Sequence, residues 1–163
     1  MFKKIILKSL ILLLLSSCAT YTVDRRMGTG KPKFATLEIE GVLYELKSEN
    51  GEFKNDLPVR LLLKLKNLSE VKKSFQVNKN KLVILVIKNE FGENLKITDI
   101  PSEKYLKGTE LVLNPGEELV LEIAFEIGEE IFKDNNSINC QLRLFFLPKQ
   151  FRRNSLSIYL EKN

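Results

Sequence analysis

Leu119-Val120-Leu121-Glu122-Ile123-Ala124-Phe125-Glu126-Ile127 decides the fold class. Leu119, Leu121, Ile123, Phe125 and Ile127 share one parity, and Val120, Glu122, Ala124 and Glu126 fall between them. A period of two marks a strand with one buried and one wet face, because successive side chains leave opposite sides of a sheet. The pattern recurs along the chain. Ile138, Cys140, Leu142, Leu144 and Phe146 alternate with Asn139, Gln141, Arg143 and Phe145. Val59, Leu61, Leu63 and Leu65 oppose Arg60, Lys64 and Lys66. Residues 81–88, KLVILVIK, are almost continuously apolar and suit a central strand of a packed sheet. Further strands are expected at 34–47, 72–77, 95–99, 109–113 and 155–161. In the first of these the alternation slips at Gly41-Val42, which reads as a bulge or bend.

Turn chemistry separates the runs: Glu49-Asn50-Gly51, Phe91-Gly92-Glu93-Asn94, Asn114-Pro115-Gly116 and Asp134-Asn135-Asn136-Ser137. In the third, Pro sets the first turn position and Gly accepts a positive φ, so a hairpin is expected between 109–113 and 119–127. Glu129 to Lys133 reads as one turn of helix between strands. Seven to nine short strands in about 130 residues describe an all-β, immunoglobulin-like antiparallel β-sandwich. The chain has no Trp, so the Cys–Trp–Cys hallmark of antibody domains is absent. Periodicity alone leaves a closed barrel open as the alternative topology.

Ahead of this domain stands MFKKIILKSLILLLLSSC. Lys3, Lys4 and Lys8 give a positive start, and the apolar run from Ser9 to Leu15 ends in small residues. That order describes a secretory signal, and the run is too short to span a bilayer, which takes about 20 residues as a helix. The ending Leu15-Ser16-Ser17-Cys18 resembles the lipobox of bacterial lipoproteins. The resemblance implies cleavage before Cys18 by the lipoprotein signal peptidase, a diacylglyceryl thioether on the Cys18 sulfur, and often an acyl group on the new amino terminus. It further implies export and a membrane anchor. Ala19, where an Asp would retain such a protein in the inner membrane, implies the outer membrane in a two-membrane bacterium. The expected organisation is a signal peptide (1–17), a lipidated cysteine with a flexible tether (18–33), and a β-sandwich domain (34–163). In the tether, Arg25, Arg26, Lys31 and Lys33 are read chiefly as a solvated linker, with contact to anionic headgroups as the functional alternative.

A second resemblance covers Leu61 to Phe125. Asn67-Leu68-Ser69 follows one strand, and Asn114-Pro115-Gly116-Glu117 opens the next. This is similar to immunoglobulin-like accessory domains of exported bacterial proteins, including the intracellular proteinase inhibitor-like family. It implies the same fold, with peptidase inhibition as one alternative activity; no inhibitory loop maps onto these residues.

Composition narrows the chemistry. The chain has no histidine, which removes Ser-His-Asp and Cys-His catalysis, histidine metal sites and the usual general base near neutral pH. No phosphate loop, zinc spacing or calcium loop occurs, so no cofactor or metal is expected. Asp56, Asp99 and Asp134 stand in turn-like contexts and Glu117-Glu118 and Glu129-Glu130 flank the 119–127 strand; they read chiefly as solvated surface, with a carboxylate pair of a hydrolase as the functional alternative. Ser69, Ser74 and Ser102 have lysines nearby, the minimum for a Ser–Lys pair. Cys140 lies in phase with strand core positions and reads as a small buried hydrophobe. Three of the lysines behind the net charge of +5 belong to the signal, leaving +2 on the exported chain. That weak excess argues against nucleic acid. One local asymmetry remains: Arg60, Lys64, Lys66, Lys72 and Lys73 face only Glu70 nearby in sequence, which reads chiefly as a charged outer sheet face that keeps edges unpaired, with a basic face for an acidic partner or polyanionic glycan as the functional alternative. The expected function is a membrane-anchored, non-catalytic binding or structural module of the cell envelope. Its partner would be another envelope protein or a glycan. A carboxylate hydrolase is the competing class.

Overall fold

In the computed structural model the described residues form two five-stranded β-sheets packed face to face and a third, two-stranded sheet. The structure describes residues 20–24, 31–55 and 57–163. Leu15, Ser16, Ser17 and Cys18, together with Arg25, Arg26 and Asp56, lie outside the described residues. The first strands are β1 (Thr20–Asp24), β2 (Phe34–Ile39), β3 (Val42–Ser48), β4 (Glu52–Phe53), β5 (Val59–Asn67) and β6 (Lys73–Gln76). They are followed by β7 (Val83–Lys88), β8 (Asn94–Ile100), β9 (Glu110–Leu113), β10 (Glu118–Phe125), β11 (Ser137–Leu144) and β12 (Ser155–Lys162). One short helix, α1 (Glu129–Asp134), bridges β10 and β11 as the sequence suggests. Among the described residues no helix is long and apolar enough to cross a membrane.

One sheet has the order β1-β2-β3-β5-β10, the other β4-β12-β11-β7-β8. The inner part, β3-β5-β10 opposite β12-β11-β7-β8, is the A-B-E against G-F-C-C′ order of immunoglobulin-like sandwiches. The all-β sandwich is therefore the fold, with more strands than the seven to nine expected. The additional ones are short or lie at edges, and β1 falls within the stretch that reads as tether.

The core is made by the parity seen in sequence. Ala35, Leu46, Leu63 and Leu121 are opposite one another across four strands and are all buried. On the facing sheet, Leu85, Leu142 and Leu156 form one buried row, and Ile87, Cys140 and Ile158 the next. These rows belong to a single apolar cluster between the sheets.

Two local readings are corrected. The slip at Gly41 is a tight hairpin turn, not a bulge: β2 pairs with β3 in unbroken register from Phe34↔Lys47 to Ile39↔Val42. Glu40 at φ 51° and Gly41 at φ 76° both take the left-handed region that a two-residue type I′ loop demands. The Gly41 position is also crowded, because a Cβ there would stand 3.0 Å from the Ser69 Cβ. The turn at 114–117 forms as expected, with the Glu117 amide donating to the Asn114 carbonyl at 3.0 Å. It does not make a hairpin. β9 pairs with β6, in register Lys73↔Leu113 to Gln76↔Glu110, while β10 pairs with β5. Turn chemistry fixes the reversal of the chain, but the partner strand is chosen by packing.

Candidate binding surfaces

β5 places Arg60, Lys64 and Lys66 on its outer face, as the alternation requires. The neighbouring strands place carboxylates among them. Lys64 Nζ lies 3.0 Å from Glu45 on β3 and 3.4 Å from Glu118 on β10; Lys66 Nζ lies 2.7 Å from Glu118. Arg60 Nη1 donates to Glu122 at 3.1 Å, a diagonal pair across the β5–β10 ladder. The hydrogen bond that Lys64 donates to Glu45 holds the Lys64 ammonium above its ordinary pKa, with burial working against it. The bond from Lys66 holds the Glu118 carboxyl below its own. This face is therefore charge-balanced, a solvated sheet surface with Val120 exposed beside the ladder. Lys72 and Lys73 are not on it. They belong to the β5–β6 loop and the start of β6, beyond the end of β5.

The described candidate carboxylates are spread over several elements, and four of them, Asp99, Glu117, Glu118 and Glu129, are engaged by neighbouring side chains. Asp99 pairs with Lys81 at 2.7 Å, and Glu129 with Lys133 at 2.6 Å one helical turn away. Glu117 folds back to accept from the amide and side chain of Asn114 at 2.7 and 2.9 Å. Among the described residues no group of three metal-ligating side chains converges. The three serines are engaged elsewhere. Ser69 Oγ donates to Asn67 Oδ1 at 2.7 Å, Ser74 Oγ bonds Glu110, and Ser102 Oγ donates to the Lys79 carbonyl at 3.3 Å.

Cys140 is fully buried on β11, and burial pushes its thiol up to about 12 from 9.0. The folded protein keeps a proton that the unfolded chain loses, so this group removes stability as pH rises past about 9. Cys140→Ser is expected to cost about 1–3 kcal/mol, since a hydroxyl replaces a sulfur at an apolar position. Thermal unfolding followed by circular dichroism checks this. The same Cys140 thiol should react with an aromatic disulfide reagent only after denaturant is added.

One site escaped the sequence reading. Asn67 is completely buried at the end of β5. Its Nδ2 donates to the carbonyls of Val71 at 2.8 Å and Leu113 at 3.0 Å, while its Oδ1 accepts from the Ser69 amide at 3.0 Å. Its backbone amide donates to the Glu117 carbonyl at 3.0 Å and its carbonyl accepts from the Gly116 amide at 2.9 Å. One side chain thus pins the β5–β6 loop and the turn before β10. The Asn-x-Ser spacing was the available signal, and its meaning is structural.

At the other end of the sandwich, a cleft of about 250 Å³ is bordered by Ser48, Glu49, Phe53, Leu57, Pro58 and Arg60. A second concavity of about 260 Å³ shares Leu57 and Pro58 and reaches Glu126 and Ile127. Each is smaller than the roughly 300–1,000 Å³ that usually encloses a small-molecule ligand.

No protein-family model matches the chain, and no curated protein matches it. Several solved structures are similar. One is a β-glucosidase from Listeria innocua in complex with glucose, at 9% identity and a TM-score of 0.40. That match covers 74% of this chain and 16% of the glucosidase, so the chain spans about one sixth of that protein's length. The C-terminal domain of wzt is similar at 13% identity and a TM-score of 0.41, over 90% of this chain and 78% of that domain. The sandwich stands on the strand pairings themselves.

Proposed function

We propose that this chain is a bacterial lipoprotein whose β-sandwich is a non-catalytic binding or structural module of the cell envelope, tethered by lipid on Cys18. The observation that carries the reading is Leu15-Ser16-Ser17-Cys18 placed directly after a basic and then an apolar segment. One acyl chain binds a membrane only marginally, whereas the two or three of such an anchor hold stably. The module reading is supported by how the reactive groups are spent. The Cys140 thiol is buried, several of the described acids are held in ion pairs, and the outer face of β5 is neutralised by its neighbours. A hydrolase would need two carboxylates in contrasting environments across a cleft.

Cys18→Ala is expected to leave a chain that is neither lipidated nor cleaved at this position. The check is phase partitioning of native and variant proteins in a detergent that separates on warming, alongside their gel mobility. The native protein should enter the detergent phase at a smaller mass than its precursor. If the Cys18→Ala variant is processed normally and carries the same lipid, the anchor assignment is wrong.

A further inference from the structure

Resting on the lipid-anchor reading, the geometry points to one end of the sandwich as a membrane-contacting surface: the end formed by the Glu40–Gly41 turn, the Leu68–Lys73 loop and the Pro115–Gly116 turn. The occupant is the anionic headgroup layer of the bilayer that holds the anchor.

Strand register gives the first argument. Thr20 is opposite Glu38, Glu38 opposite Leu43, Leu43 opposite Lys66, and Lys66 opposite Glu118. A single row across all five strands therefore carries the start of β1 to the end where β5 finishes and β10 begins. Cys18 precedes Thr20 by two residues, which span at most about 7 Å when extended. A lipid on Cys18 cannot stand far from this end. With Thr20–Asp24 paired in the sheet, only Ala19 stands between Cys18 and the first described strand. The later lysines of the stretch that reads as tether go the other way. Lys31 donates to Ser137 at 2.6 Å and Lys33 lies 3.9 Å from Glu161, at the opposite end of the sandwich. The alternative of headgroup contact by these two is therefore not where the geometry leads.

Surface chemistry gives the second argument. Leu68 and Val71 are 49% and 60% exposed in the β5–β6 loop. They are held outward by a fixed frame, because Asn67 binds the Val71 carbonyl and the Ser69 amide from beneath, and the Leu68 amide donates to the Gly41 carbonyl at 2.7 Å. Lys72 and Lys73 follow directly. Phe146, whose ring is 6.2 Å from that of Tyr44 one position in from the shared row, brings the Lys149–Arg153 segment to the same end. Glu40, Glu70 and Glu117 are there as well, and they moderate the charge. Apolar side chains flanked by the exposed Lys72 and the half-buried Lys73 suit the interface, where each Lys or Arg near an anionic surface adds attraction. The cleft beside Leu57 and Pro58 then faces away from the bilayer, roughly 30 Å out along the nine residues of β5.

The test uses the full-length, lipidated protein. With Cys18 acylated and Cys140 buried, an introduced cysteine is the only reactive thiol. Leu68→Cys, Val120→Cys and Glu90→Cys each receive an environment-sensitive fluorophore. The labelled proteins are reconstituted into vesicles of phosphatidylethanolamine and phosphatidylglycerol containing a nitroxide-headgroup lipid. Intact mass confirms the acyl chains on every sample beforehand, so loss of the anchor is recognised separately from loss of the contact. Blue-shifted emission and strong quenching at position 68, with little at 120 or 90, is the expected result. Adding Lys72→Glu and Lys73→Glu should reduce the quenching at 68 several-fold. Equal quenching at all three positions, or stronger quenching at 120 or 90, on acylated protein would overturn the proposal.

Discussion

Leu63→Ala is expected to lower the free energy of unfolding by about 2–5 kcal/mol, out of a total near 5–15 kcal/mol for a domain of ordinary stability. Leu63 is fully buried in the middle of β5, between Leu46 of β3 and Leu121 of β10, which are also buried. Its removal takes away apolar contacts and leaves a cavity that three hydrogen-bonded strands cannot collapse to fill. The neighbouring Leu62 is the control, because it is only half-buried and points to the outer face. Leu62→Ala should cost about 1 kcal/mol or less. The chain has no Trp, so urea unfolding is best followed by far-ultraviolet circular dichroism. Equal losses at 62 and 63 would mean that the register of β5 is wrong by one residue, since such a slip exchanges the two faces.

Asn67→Ala should cost about 2–4 kcal/mol, more than its size suggests. The carbonyls of Val71 and Leu113 and the amide of Ser69 would all lose their partner, and water can reach them only by opening the loops. Asn67→Asp separates the two halves of the arrangement. A carboxylate still accepts from Ser69, yet it faces the two carbonyls with no hydrogen to offer. It should therefore be at least as damaging as alanine at neutral pH. Recovery on acidification, when the new carboxyl gains a proton to donate, would show that the lost donor is the cause. If both variants unfold like the native protein, the side chain does not hold these loops.

The strands were legible because a one-sided sheet writes its burial directly into sequence parity. Leu119 to Ile127 and Ile138 to Phe146 needed no tertiary information. The Glu40–Gly41 turn was misread because the usual type I′ signal is Asn or Asp before Gly, and here Glu takes the positive φ. The strand at Thr20–Asp24 was missed because its pairing with β2 is set by an open sheet edge, and its own residues look like any polar linker. The pairing of β9 with β6 escaped for a related reason, since turn residues determine a reversal of the chain and not the sheet it joins.

The candidate basic face shows the same limit for charge. Arg60, Lys64 and Lys66 looked unopposed because their partners arrive from elsewhere: Glu45 from β3, and Glu118 and Glu122 from β10. Local sequence counts charge along the chain, whereas screening and pairing act through space. Lys72 and Lys73 were grouped with that face by proximity in sequence, and the fold separates them onto the end of the sandwich.

Intact-mass spectrometry of the protein purified from its native membrane tests the central claim most directly. The expected mass is that of residues 18–163 plus two or three acyl chains. A mass equal to the full-length chain, or to a simply cleaved chain without lipid, would contradict the anchor and the membrane-facing orientation built upon it.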